Sequence, residues 1–201
     1  MSLKKISRAI EALKNKDINQ ATAIFDSVRN KLSKPHHLHA CALAYLQSGR
    51  SLDAQKVLSK LLAKVQPTPQ LLSLSGDINK SNGDLNSSIV DYQRACKLSP
   101  SSPELYYNLA LVLFENQELP KTREVLKKAL LIRPTYMKAS VLMGRCLAAM
   151  DLFNEAEEIF QNLFKIDGLV TLLDPSKSSI KATPLPSPVL ELEIEFGLGK
   201  T

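Results

Sequence analysis

Apolar residues along most of the chain recur at the spacing of amphipathic helices, and the helices come in pairs. In residues 103–134 the apolar positions form one helical face, stop at the polar residues 116–118, and then form a second face. Pro103 and Pro120 stand near the start of the two halves, where a helix tolerates proline because its first turn leaves N–H groups unpaired. The segment therefore predicts two short helices around one turn.

The same pattern occurs in five units along the chain. A small residue marks the first helix of each unit: Ala9, Ala42, Gly76, Ala110 and Gly144. Two further columns mark the second helix: Ala21, Ala54, Ser88, Thr122 and Ala156, then Phe25, Leu58, Tyr92, Leu126 and Phe160. In each column, successive members stand 33, 34, 34 and 34 residues apart. Such a unit cannot bury its apolar face alone, so the units must stack.

A period of about 34 residues with these columns resembles the tetratricopeptide repeat family, over residues 2–168. The sequence departs from the family at Arg8, where leucine is usual, and at Ser88 and Thr122, where alanine is usual. The resemblance implies an all-α fold, a right-handed α-solenoid in a domain of residues 1–168. Its five helix-turn-helix repeats would be residues 2–34, 35–68, 69–102, 103–136 and 137–168.

Two pairs of glycines carry separate expectations. Gly76 and Gly144 lie inside predicted helices, where glycine costs about 1 kcal/mol relative to alanine. We expect this cost to be offset by a close approach of the two helices within each repeat. Gly49 and Gly83 lie at predicted turns, where a residue with positive φ is needed.

The repeat pattern stops after Gly168. Residues 169–188 hold too many prolines and serines for a regular element, so we expect a linker. Residues 189–201 have three interpretations: a strand, from the alternation of apolar residues and glutamates at 190–196; a phosphate-binding loop; or the helix of a further, truncated repeat. Gly199-Lys200-Thr201 resembles the end of a phosphate loop, but Ile194 stands where that motif needs glycine. We expect the helix.

The helix interpretation leads to a second resemblance. Bacterial proteins that join tetratricopeptide repeats to a sulfotransferase domain often carry a Phe-x-Leu-Gly-Lys helix after a looser spacer, and residues 196–200 match it. The sequence contains no phosphosulfate-binding motif. The resemblance implies that the chain is the N-terminal substrate-recruiting or regulatory region of a larger transferase, with a sulfotransferase as the leading candidate.

Composition limits the classes of partner. The 201 residues carry a formal charge of +6 at pH 7, but lysines and arginines are scattered rather than clustered. Five tyrosines, six phenylalanines and no tryptophan are too few for a nucleic-acid stacking platform. The sequence has no signal peptide and no apolar segment of the ~20 residues that a membrane span needs. We expect a soluble, cytoplasmic protein without a nucleic-acid or membrane partner.

Side chains able to carry chemistry are few. Cys41, Cys96 and Cys146 are odd in number and far apart, which favours buried thiols in a reducing compartment. The three histidines, at 36, 37 and 39, cluster at a helix start, and a metal site would need further ligands to converge on them. We expect them at the edge of a groove. The sequence therefore predicts no catalytic residue, no cofactor and no metal site, and hence no enzyme.

In the family that the chain resembles, the first helices of the repeats line a concave groove. By repeat phase, the groove residues of the second and third repeats are His36, His39, Leu43, Gln47, Gln70, Ser73, Asp77 and Lys80. The predicted binding site lies further along, in the fourth and fifth repeats: Tyr107, Asn108, Leu111, Lys138 and Arg145. Tyrosine and arginine are frequent anchors in binding sites. These residues predict a site for a peptide or protein partner.

The carboxylate clamp that this family uses for acidic chaperone C-termini is matched only in part. Asn108 and Lys138 fit its pattern, whereas Ser73, Asp77 and Leu142 do not, and Asp77 has the wrong charge. We therefore predict a non-enzymatic protein-protein interaction module that binds a peptide or protein segment in the groove. The transferase region is the alternative function, and self-association of the solenoid is a third hypothesis.

Overall fold

The computed structural model describes residues 2–166, which form ten α-helices in five pairs. The pairs are α1 (Ser2–Lys14) with α2 (Ile18–Val28), α3 (Pro35–Gln47) with α4 (Ser51–Leu62), α5 (Pro69–Ser81) with α6 (Leu85–Leu98), α7 (Pro103–Glu115) with α8 (Leu119–Ile132), and α9 (Met137–Ala149) with α10 (Phe153–Ile166). A 3₁₀ turn at Arg29–Lys31 follows α2. The predicted all-α fold is confirmed. The linker and tail predicted at 169–201 lie outside the described residues.

The helices fall into two compact units. The first, Met1–Tyr136, contains α1 to α8, and the second, which begins at Met137, contains α9 and α10. Within the first unit, the second helix of each pair packs on the first helix of the next, and α3 contacts both α1 and α5. Within the second unit, α9 packs against α10. The first unit therefore buries its apolar faces between successive pairs, as the repeat period predicts.

Local chemistry explains where the helices begin. Asp17 and Asp84 precede α2 and α6, and their side chains accept hydrogen bonds from the N–H groups of Gln20 at 3.0 Å and Ser87 at 2.9 Å. Such caps satisfy N–H groups that have no partner within the helix. Proline occupies the first turn of α3, α5, α7 and α8, as the sequence predicts for Pro103 and Pro120.

The turn inside each helix pair contains a residue in the left-handed region. Gly49 and Gly83 have φ of 76° and 81°, as predicted. The corresponding positions of the other three pairs hold Lys16, Gln117 and Asp151, with φ between 60° and 62°. All five positions follow the repeat period, so the turn geometry recurs even where the sequence supplies no glycine. A non-glycine residue there is strained relative to glycine.

The glycines inside helices admit a large aromatic side chain. A Cβ on Gly76 would stand 2.7 Å from the Tyr92 ring, and a Cβ on Gly144 would collide with the Phe160 ring. The predicted close approach of α5 to α6 and of α9 to α10 is confirmed. In the α5–α6 pair, Ser88 stands where alanine is usual in the family. It is fully buried, and its hydroxyl donates to the Gly76 carbonyl at 2.8 Å.

The three cysteines are buried, as predicted. Burial raises the pKa of the Cys41 thiol to about 12 and that of Cys96 to about 11. A thiol with so high a pKa holds almost no thiolate at neutral pH, so these two cysteines act as small apolar side chains. Among the described helices, none combines the length and the apolar character that crossing a bilayer would require.

Candidate functional site

A cleft of about 330 Å³ opens in the first unit where α3, α5 and the start of α7 meet. Its lining residues are His39, Leu43, Pro69, Gln70, Ser73, Leu74, Asp77, Ser99, Ser102 and Leu105. Five of them, His39, Leu43, Gln70, Ser73 and Asp77, are positions that repeat phase assigns to the groove. This cleft is therefore a candidate site that the predicted groove and the structure have in common.

The packing of α5 on α6 sets the position of Asp77 in the cleft. Because Gly76 has no side chain, the Tyr92 ring lies directly against the α5 backbone. Tyr92 is 1% exposed, and its hydroxyl donates to Asp77 Oδ1 at 2.6 Å. Ser73, one turn earlier on α5, interacts with the same hydroxyl. The carboxylate is thus held at the cleft by a buried tyrosine.

The Asp77 carboxylate is desolvated, and no lysine or arginine of the described residues forms an ion pair with it. Burial raises the pKa of Asp77 above its ordinary value, against the Tyr92 hydrogen bond and the charge of Lys80. The Lys80 ammonium donates to Glu115 Oε1 at 3.2 Å. Among the described residues, none supplies a lysine or arginine within ion-pair distance of Asp77. Its negative charge therefore faces the cleft.

The remaining lining adds apolar and neutral polar groups. Leu43, Leu74 and Leu105 supply the apolar surface, and the polar groups are amide and hydroxyl side chains. Burial lowers the pKa of His39, so its imidazole is neutral at neutral pH. The lining contains no lysine or arginine. Asp77 therefore sets the charge of the cleft.

A second hydrogen-bonded tyrosine and aspartate lie elsewhere in the first unit. Tyr45 donates its hydroxyl to Asp26 Oδ1 at 2.7 Å. Here Arg50 donates to Asp26 at 2.7 Å and 3.1 Å and to Asp53 at 2.7 Å, and its guanidinium lies 4.5 Å from the centre of the Tyr45 ring. The Arg50 hydrogen bonds lower the pKa of both carboxyls. This pair is neutralised within the chain.

The predicted site residues lie on two helices. Tyr107, Asn108 and Leu111 are half-buried on α7 in the first unit, and Tyr107 packs against Tyr136 with ring centroids 5.5 Å apart. Lys138 and Arg145 are on α9 in the second unit. These five residues stay a prediction. In the described residues, no group of three or more His, Cys, Asp or Glu is arranged to hold a metal ion.

The sequence contains a signal for Asp77 beyond its repeat phase. Its charge counted against an acidic ligand, and its phase placed it in the groove. Tyr92, fifteen residues later, belongs to the column of large residues on the second helix, which predicts packing but not the hydrogen bond from its hydroxyl to Asp77. An aspartate directly after a helix glycine, combined with a tyrosine in that column, is the pattern that would have indicated the pair.

Comparisons with known proteins place this geometry in a class. The TPR repeat sequence family matches residues 76–117, which include Asp77 and Tyr92. The chain matches no curated protein sequence. The fold is that of tetratricopeptide repeat proteins, and residues 76–117 are also similar to this repeat in sequence.

Solved structures share the fold at low sequence identity. A crystal structure of MamA protein has a TM-score of 0.71 at 19% identity, and the match covers 91% of this chain and 98% of that one. MamA 41-end from Desulfovibrio magneticus RS-1 has a TM-score of 0.74 at 17% identity, over 83% and 94%. YrrB, described as a TPR protein with an unusual peptide-binding site, has a TM-score of 0.65 at 16% identity, over 83% and 86%.

Proposed function

We propose that the protein is a non-enzymatic interaction module that binds a peptide segment of a partner protein in the groove of its first unit. The observation that carries the proposal is the cleft formed by α3, α5 and α7, which combines three leucines with a desolvated carboxylate. Binding sites for short segments are concave and largely apolar, with a few fixed polar groups. The cleft has this composition.

The cleft suits one anchoring side chain rather than a whole segment. A volume of about 330 Å³ is at the lower end of the range for ligand pockets. Gln70, Ser73 and Ser102 carry amide or hydroxyl groups that can bond to the main chain of an extended peptide. A segment lying along the groove would then place one side chain into the cleft.

Two comparisons support the proposal. The TPR repeat match covers the part of the chain that contains the cleft residue Asp77. YrrB, which shares the fold, is described as having a peptide-binding site. The alternative, a recruiting region of a larger transferase, rests on residues 196–200, which lie outside the described residues, and it stays a prediction.

A display experiment with a random dodecapeptide library on the full chain tests the groove. Selected peptides are synthesised and titrated against Gln70→Trp, which fills the cleft from an exposed position on α5. Gln93→Trp, an equal change at an exposed position of α6 outside the cleft, is the matched control. We expect Gln70→Trp to weaken binding at least about tenfold, the loss of a well-placed anchor.

Equal binding by both tryptophan variants would place the binding surface elsewhere and contradict the proposal. The predicted contacts on α7 and α9 have their own test with the same peptides. Tyr107→Ala and Arg145→Ala should each weaken binding by at least about 1 kcal/mol while leaving the melting curve nearly unchanged. Unchanged affinity in both would remove these residues from the site.

A further inference from the structure

The two tyrosine–aspartate pairs of the first unit differ in whether a cation completes them. In both pairs, a tyrosine that is at most 1% exposed donates to an aspartate Oδ1, at 2.7 Å for Tyr45 and 2.6 Å for Tyr92. Arg50 completes the first pair with two hydrogen bonds to Asp26. The second pair opens on the cleft, and no described residue plays the part of Arg50.

We propose that the cleft at Asp77 binds an arginine side chain of the partner segment, which supplies the guanidinium that Arg50 supplies to Asp26. The proposal rests on the proposed function and names the partner's anchor. The groove would then bind a basic ligand, whereas the carboxylate clamp described above binds acidic C-termini.

The cleft combines the two kinds of group that an arginine side chain needs. Leu43, Leu74 and Leu105 offer apolar surface for the three methylenes of arginine. The guanidinium has five N–H donors. The Asp77 carboxylate offers it two oxygens, and the Ser73 hydroxyl, one turn earlier on α5, is a further acceptor. A carboxylate suits the planar fork of donors of arginine better than the single ammonium of lysine.

Electrostatics favour the same occupant. A desolvated carboxylate without a counter-ion costs free energy, and a cation placed beside it recovers part of that cost. The cleft lining holds no lysine or arginine that would repel the incoming guanidinium, and His39 is neutral there at neutral pH. The charge of Lys80, one turn further along α5, acts on the Asp77 carboxyl, but the Lys80 ammonium is bonded to Glu115 and not to Asp77.

The direct test is an NMR titration of the isotopically labelled full chain with N-acetyl-arginine methylamide. Its citrulline counterpart, which has nearly the same shape but no charge, is the control probe. The variants are Asp77→Asn and, as the matched control, Asp91→Asn. Asp91 is on α6 outside the cleft and accepts from Asn79 Nδ2 at 2.9 Å.

We expect saturable shifts at the amides of Leu43, Ser73 and Asp77, with a dissociation constant on the order of millimolar for so small a probe. The citrulline probe should bind at least about tenfold more weakly, because its hydrogen bonds to Asp77 lack charge assistance. Asp77→Asn should lose the same preference, and Asp91→Asn should keep it. Equal affinity for both probes, no shift at the cleft, or an unchanged preference in Asp77→Asn would overturn the proposal.

The selected peptides separate failure of this inference from failure of the proposed function. One outcome would overturn the arginine site and leave the groove function intact. In that outcome, the peptides lose binding to Gln70→Trp but bind Asp77→Asn as well as the native chain, and replacing their arginine by citrulline changes nothing. Peptides indifferent to Gln70→Trp would contradict the groove function, and the probe titration would still decide whether Asp77 binds a guanidinium.

Discussion

Asp26 and Asp77 both accept a hydrogen bond from a buried tyrosine, but the pKa values of their carboxyls are shifted in opposite directions. Hydrogen bonds from Arg50 lower the pKa of Asp26, whereas burial raises the pKa of Asp77. The tyrosine is common to both, so it does not decide the direction. Two things differ: Asp77 is the more deeply buried carboxyl, and only Asp26 has a guanidinium bonded to it. On the proposal above, the same local arrangement stabilises the fold where its cation is present and binds a partner where the cation is missing.

The largest expected effect comes from the glycine that lets Tyr92 reach Asp77. Gly76→Leu and Gly144→Leu should each destabilise by about 2–3 kcal/mol, because the new side chain collides with a buried aromatic ring in both pairs. Chemical denaturation measures both. Only Gly76→Leu should also abolish binding of the arginine probe, since Phe160 has no hydroxyl and serves no aspartate. A change below about 0.5 kcal/mol in either variant would contradict the packing account.

The next effect concerns the cation that completes the Asp26 site. Arg50→Met should cost about 1–2 kcal/mol, because it removes hydrogen bonds to two carboxylates and the contact with the Tyr45 ring at a partly exposed site. Lys80→Met, beside Asp77, removes one surface pair with Glu115 and should cost less than about 0.5 kcal/mol. Equal losses in urea unfolding would mean that Lys80 already neutralises the Asp77 site.

A smaller effect is expected from the tyrosine hydroxyls. Tyr92→Phe and Tyr45→Phe each remove one hydrogen bond to a carboxylate, worth about 1 kcal/mol. The Tyr45 variant should lose less, because Arg50 still holds Asp26 in place. Thermal unfolding of the two variants side by side measures the difference. A larger loss for Tyr45→Phe would show that Arg50 does not compensate.

The smallest expected effect is the change in stability when each aspartate is replaced by asparagine, and its sign should differ between the two sites. A carboxyl with a raised pKa destabilises the folded state once it ionises, so Asp77→Asn should stabilise the protein at neutral pH. That gain should be absent below the ordinary value of 3.8 and should grow as pH rises through the raised pKa. Asp26 has a lowered pKa, so its contribution is present above 3.8 and is lost as pH falls through the lowered value.

Asp26→Asn should therefore destabilise at neutral pH, by about 1 kcal/mol for a partly exposed pair with arginine, and should cost nothing in acid. Urea unfolding of both variants at several pH values checks the two signs. If both asparagine variants shift stability in the same direction at neutral pH, the contrast between the sites is wrong.

Much of the fold can be predicted from the sequence because side-chain size recurs with the period of the repeat. Two of the repeat columns pair a small residue with a large one at a fixed period, as in Ala42 with Leu58, Gly76 with Tyr92, and Gly144 with Phe160. In the structure, the aromatic ring of each glycine pair packs directly against the glycine. The left-handed residues at Lys16, Gln117 and Asp151 were not predictable from residue type. Their conformation is imposed by the two helices that the turn must join.

The candidate site was less accessible to sequence reasoning. Repeat phase placed Asp77 in the groove, but its desolvation depends on α3, α6 and α7 together, which no single repeat encodes. The sequence prediction centred on Tyr107 and Arg145 because it ranked residue types as anchors. The structure adds a factor that residue type does not contain, namely which charged group lies in a cleft without an ion-pair partner.

The most direct measurement is the pKa of the Asp77 carboxyl, followed by NMR as a function of pH with and without N-acetyl-arginine methylamide. The value without the probe should lie above the ordinary 3.8, because burial disfavours the charged form. Adding the probe should lower it, because a nearby guanidinium stabilises the charge, while the lowered pKa of Asp26 stays unchanged. An Asp77 pKa that is already below 3.8 in the protein alone, or one that the probe leaves unmoved, would contradict a cation site at Asp77.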